Sequence, residues 1–147
     1  MDDEVQTLAR FVDAQADSYD VALAELRAGR KRTHWMWYVL PQVRGLGHSH
    51  MSYQYGLANR SEARAYYEHP ILGSRLVRCV EATLRHRTST AGEIFGVVDA
   101  VKFRSCVTLF AVAAPEEPCF VTALQVFYGG KPDPKTLRVL GMPDASS

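Results

Sequence analysis

Residues 70–87 read "PILGSRLVRCVEATLRHR". Their apolar side chains fall at Leu72, Leu76, Cys79, Val80 and Leu84. That three-and-four spacing lays one stripe along one face of an α-helix. The same period runs outward in both directions. Upstream, Leu8, Phe11, Val12, Tyr19, Leu23 and Leu26 form one stripe that Gly29 stops, and Ser61 is placed to cap "EARAYYEH". Downstream come "AGEIFG", "DAVKFRSCVTLFAVAA", "CFVTALQVFYGG" and "DPKTLRVLG", with Asp99 and Asp133 as N-caps and glycines closing three of the four. No window alternates in the manner of a strand and hairpin. The expectation is an all-α, compact single domain of about seven or eight short helices spanning residues 1–147, with 142–147 as a loose tail.

Composition narrows the function classes. A chain of 147 residues that is 47% apolar and 22% charged suits one domain with a substantial core. A net charge of +1 supplies no global field for nucleic acid, so nucleic-acid binding is not expected. The 17 basic residues are mostly arginine, the side chain that best holds carboxylate or phosphate in fixed geometry. Cys79, Cys106 and Cys119 are widely spaced in apolar segments, without zinc spacing. They read as buried reduced thiols. The opening "MDDEVQ" is acidic and polar, unlike a signal peptide, and no apolar run approaches a membrane span. A cytoplasmic protein without membrane contact, a monomer or small homo-oligomer, is the expectation, with no cofactor and no metal. His48 and His50 form an HxH, but no acidic or thiol ligand lies near them in sequence.

The densest chemistry lies in residues 30–49, "RKRTHWMWYVLPQVRGLGHS". Thr33 can cap a short helix over His34–Leu40 that Pro41 ends. Two residues apart on a helix point to roughly opposite sides, so one of Trp35 and Trp37 can fill core while the other faces a groove. His34, at the start of that helix, is the candidate proton-transfer residue. Gly45 and Gly47 precede a helix start at Ser49, where backbone amides can meet an anion, with Arg44 adding a donor. The competing reading is a tight turn between helices. In "DAVKFRSCVTLF", Lys102 and Ser105 are three apart on one helix face. A lysine and a serine so placed can form an activated hydroxyl. The competing reading is an amphipathic helix with Lys102 solvated. Gln15 sits on an apolar stripe, so it must brace a loop or reach a site.

Over about residues 8–141 the chain resembles an uncharacterised bacterial and fungal family catalogued as domain of unknown function 1810, sometimes labelled calpastatin-like. The resemblance is carried by "HWMW", "PQ" and "RGLG" in residues 34–47. It continues through "YGLANRSEARAYYEHPILGSRLVRC", "EIFGVVDAVKFRSCVTLFA" and "FYGGKPDPKTLRVLG". It implies a small, mostly helical protein and names no reaction. The family's polar motif positions match Gln15, His34, Gln42, Arg44, Lys102 and Ser105, and its aromatic ones match Tyr19, Trp35, Trp37 and Tyr55. The chain departs from the pattern at Cys106 and Val107, and at His48, where an arginine is common.

Three functional readings follow. In the first, His34, Lys102 and Ser105 are catalytic candidates. Gln15, Trp35, Trp37, Gln42, Arg44, Gly45, Gly47, Ser49 and Tyr55 line a pocket for a small anionic, nucleotide- or ADP-ribose-like ligand. That requires Trp37, His34, Gln42, Arg44 and Lys102 to meet in one cleft. In the second, an aromatic groove binds a peptide or protein without chemistry. In the third, the domain is purely structural or oligomeric, and every polar motif residue serves a turn or cap.

Overall fold

The computed structural model describes residues 3–143, with side chains from Leu8 onward. It is all-α: ten helices and, outside them, a single isolated bridge among the described residues. The tail expected over 142–147 falls mostly outside the described residues.

The first apolar stripe is two helices rather than one. α1 (Asp3–Gln15) ends at a turn and α2 (Tyr19–Arg27) begins after it. Ser18 breaks the run: its hydroxyl donates back to the Ala14 carbonyl at 2.8 Å while its own amide takes a tight turn to Gln15. The aromatic helix is also shorter than its sequence suggests. α3 is Met36–Val39, with Trp35 rather than Thr33 at its N-cap, because Thr33 is drawn away to Glu25. α4 (His50–Gln54) is capped by the Ser49 hydroxyl, and α5 (Arg60–Glu68) by Asn59 rather than Ser61. Asn59 Oδ1 accepts the Glu62 amide at 2.9 Å, and the Glu62 carboxylate returns to the Ala58 amide.

α6 (Leu72–Leu84) carries the stripe first quoted, all of it buried apart from a partly exposed Leu84. α7 (Ala91–Phe95) is closed by a capping box between Thr90 and Glu93. Gly96 alone then joins it to α8 (Val97–Ala113). Its φ of +83 and ψ of 160 form a backbone conformation open essentially to glycine alone, so this one residue turns the chain between two helices. Asp99 therefore lies inside the first turn of α8 and not at its cap. α9 (Pro118–Tyr128) and α10 (Pro134–Val139) each begin on proline, and Asp133 caps α10 through the Thr136 amide.

α8 is the hub. It packs against α5, α7, α9 and α10, while α6 closes the other side against α2, α5 and α9. From Phe103 to Phe110 all but Arg104 are buried, the pattern of a helix surrounded by others. Its first turns differ: Val97, Val98 and Val101 face solvent. Residues 43–57 make a closed excursion pinned at both ends. Arg44 N donates to Leu57 O and Leu57 N to Gln42 O. Arg10 holds the far side of this excursion through the carbonyls of Gln54 and Gly56.

One staple fixes the approach to the aromatic segment. Glu25 accepts from the amides of Arg32 and Thr33, the Thr33 hydroxyl and the Trp35 indole N–H. Partial burial alone would raise this carboxyl. The four donors outweigh it and hold the group down at about 2, against 4.5 for a free glutamate. The unfolded chain binds the proton more tightly, so this staple contributes fully above pH 4.5 and is lost as pH falls toward 2. An acid titration of tryptophan fluorescence should show this transition, and Glu25→Gln should remove it and destabilise the protein at neutral pH.

Candidate functional site

A cleft of about 420 Å³ opens between α3, the 42–47 segment, the first turns of α8 and the start of α10. Trp37, Gln42, Gly47, Lys102 and Ser105 all line it, so these five of the twelve sequence candidates converge. Lys102 does not reach freely into solvent. Its ammonium lies 4.2 Å from the centroid of the Trp37 ring and donates to Asp99 at 3.2 Å. Asp99 is shared, since Lys31 meets its other oxygen at 2.9 Å. Burial would raise the Asp99 carboxyl, but the hydrogen bonds from Lys31 and Lys102 hold it below the ordinary range. Two ammonium groups thus divide one carboxylate and leave a local surplus of positive charge beside Trp37.

Gln42 supplies the second polar feature. Only 8% of it is exposed, yet its carboxamide makes no hydrogen bond within the described residues, and it lines the cleft. Tyr19 Oη is the one fully buried side-chain polar atom without a partner among the described residues, so the Gln42 amide keeps its free donor and acceptor capacity where solvent, and hence a ligand, reaches it through the cleft. Ser105, by contrast, is committed. Its hydroxyl lies 3.0 Å from Asp133 Oδ2 and 3.2 Å from the Val101 carbonyl. The same Asp133 oxygen accepts from the amide and hydroxyl of Thr136, and the Asp133 amide donates to Thr108. This network welds α10 to α8 and forms the polar floor of the cleft. Lys102 hydrogen-bonds Asp99 while Ser105 bonds Asp133, so the two do not form a dyad in this geometry.

The other seven candidates lie elsewhere, each for a local reason. Trp35 is only 1% exposed, a core residue held by Glu25. Gln15 is a brace: its amide donates to the Tyr38 carbonyl and the Tyr66 hydroxyl, and its oxygen accepts from Arg75. His34 is exposed outside the cleft, and its carbonyl accepts from the Tyr38 hydroxyl. Arg44 folds over Tyr53, 4.3 Å from the ring centroid, and donates to the Tyr53 carbonyl. Gly45 serves the turn with φ +106, and the Ser49 side chain is spent on the cap of a five-residue helix. Tyr55 packs between Phe11 and Tyr38. The convergence of His34 and Arg44 with Trp37, Gln42 and Lys102 is therefore not found.

The cleft also uses residues that sequence reasoning left out: Leu46, Val97, Val98, Val101, Asp133 as a wall, and Lys135. The valines carried a signal, three apolar side chains at i, i+1 and i+4 around an acid and before a lysine. The mostly buried remainder of the helix hid it. The thiols contribute no nucleophile here. Cys79, Cys106 and Cys119 are free and buried, and burial pushes Cys79 and Cys119 each up to about 12.

With this geometry in view, the chain can be compared with others. A family described as "Protein of unknown function (DUF1810)" matches residues 5–140. The chain belongs to the DUF1810 family. Among solved structures, it is similar to the conserved hypothetical protein Rv1873 from Mycobacterium tuberculosis. The two are 45% identical, with 92% of this chain and 97% of that chain covered and a TM-score of 0.90. No curated protein matches. DUF1810 membership assigns no chemistry to the cleft. No helix among the described residues is long and apolar enough to cross a membrane.

Proposed function

We propose that this DUF1810 protein binds a small anionic ligand of the nucleotide or ADP-ribose class in the Trp37–Lys102 cleft. The observation that carries the reading is the unpartnered Gln42 carboxamide, open to the same cleft as a lysine that shares its carboxylate. An amide with donors and an acceptor free matches the edge of a heterocycle. Lys102 and Lys135 match an anionic group on the same molecule. Lys102 covers one face of Trp37, so the ring has its other face or its edge to offer a ligand. Binding is better supported than catalysis: His34 stands outside the cleft, and Ser105 is held by Asp133.

The test is a thermal-shift series with adenine nucleotides, ADP-ribose and phosphosugars. A ligand at 100 times its dissociation constant stabilises by about 2.7 kcal/mol, roughly 5–11 °C for a chain of this size. Lys102→Met and Gln42→Leu should each abolish the shift. Arg44→Ala should keep it, since Arg44 is spent on Tyr53. No shift with any of these compounds, or a shift unaffected by Lys102→Met and Gln42→Leu, refutes the proposal.

A further inference from the structure

The cleft has a lip that a small anion does not use. Val97, Val98 and Val101 are 82%, 69% and 62% exposed, the three most exposed aliphatic side chains among the described residues. They stand together on the first turns of α8. Contiguous apolar exposure of this kind marks an interaction surface. Exposed cations lie on α10 and just before it. Lys135 lines the cleft from α10, and Arg138 follows one turn later. Lys131 lies on the segment that Arg104 ties to α8 through the carbonyls of Lys131 and Pro132. All three cations are exposed and, among the described residues, none makes an ion pair. The one acid in that stretch, Asp133, is buried and occupied by Ser105 and Thr136.

We propose that this face docks an acidic, amphipathic segment of a partner protein, with its apolar side chains on the valine lip and its carboxylates on Lys131, Lys135 and Arg138. Charge complementarity selects the occupant: an apolar strip that shares its cleft with Lys135, with two more exposed unpaired cations on and just before the same helix, fits a segment with leucine-like residues on one side and Asp or Glu on the other. A second copy of this chain fits poorly, because the face would meet its own cations. A bilayer fits poorly too, since the exposed turns of α8 carry only valines, and the large side chains of the cleft, Trp37 and Leu46, are recessed and partly buried.

The probe is a fluorescein-labelled amphipathic Glu/Leu peptide, titrated with the full chain by anisotropy. Saturable binding that weakens with salt is expected. Val97→Asp with Val98→Asp, and separately Lys135→Glu with Arg138→Glu, should each weaken it by at least about tenfold. These positions are exposed, and circular dichroism will establish that the variants keep the fold. Gln42→Leu should leave peptide binding intact, which separates this face from the small-ligand reading. The proposal is overturned by no binding, or by equal binding of a Lys/Leu or Glu/Ser peptide. It is overturned equally by loss of binding in only one of the paired variants. Preferential binding to phosphatidylserine vesicles would assign the face to membranes, and valine-dependent dimerisation in sedimentation would assign it to a second copy; either outcome rejects it.

Discussion

Gly73→Ala should be the most damaging conservative change in this protein. A β-carbon at Gly73 would stand 1.9 Å from the Tyr67 carbonyl oxygen and 2.8 Å from its carbonyl carbon. The obstacle is backbone, so no rotamer change relieves it. Gly73 is buried in the first turn of α6 and accommodates the C-terminal turn of α5. Only separation of α5 from α6 makes room, and both helices pack onto the centre of the fold. Overpacking of well-packed sites costs about 1–3 kcal/mol and more where nothing can yield, so we expect at least 3 kcal/mol. That is roughly 6–12 °C in Tm for a chain of this size. Calorimetry on Gly73→Ala reads the effect. Gly96→Ala is the informative companion. Nothing lies within 4 Å of a β-carbon there, so its cost is backbone strain alone, about 1–3 kcal/mol. If Gly73→Ala proves no worse than Gly96→Ala, the close approach of α5 and α6 is wrong.

Gly73 also shows how far sequence reasoning reached. The period of "PILGSRLVRCVEATLRHR" predicts α6 and its buried face, because one stripe on a helix is a local property. A glycine inside that helix gives up roughly 1 kcal/mol of propensity relative to alanine, which signals that something crowds it. What crowds it, the Tyr67 carbonyl, is tertiary and cannot be read locally. The split of the first stripe at Ser18 was likewise hidden. Its cause is a side-chain bond to Ala14, and the apolar spacing runs straight through it. The same division holds at the cleft. Lys102 and Ser105 on one face of α8 follow from helical geometry, whereas the two tryptophans differ because Trp35 is the N-cap of α3, buried and tied to Glu25, and Trp37 lies in the helix and lines the cleft. Whether Arg44 or Lys135 reaches the cleft depends on the path of residues 43–57 and on the docking of α10. Arg44 was the expected cation, but its stacking on Tyr53 removes it, and Lys135 on α10 takes a place at the wall.

The tryptophan pair turns this division into a measurement. Trp35→Ala removes a fully buried indole and takes one of four donors from Glu25, the N–H at 2.9 Å. Large-to-small changes of this type cost about 3–5 kcal/mol, and the loss of one of Glu25's four donors adds to that. Trp35→Phe keeps most of the volume and loses the hydrogen bond, so it should cost about 1.5–3 kcal/mol. In Glu25→Gln the same substitution should cost less, and that difference in a double-mutant cycle is the bond's coupling energy. Trp37→Ala should behave in the opposite way. Trp37 is only partly buried and faces the cleft, so its loss should move Tm far less than that of Trp35. Its expected effect is on Lys102, which loses the ring beneath its ammonium and with it a contact of about 0.5–2 kcal/mol. Ligand-induced shifts should therefore fall in Trp37→Ala while the fold survives. In a Trp35→Phe protein that still folds, the same shifts should persist. Equal stability losses at the two positions would mean that Trp37 is core, and the cleft would then lose its aromatic wall as a binding element.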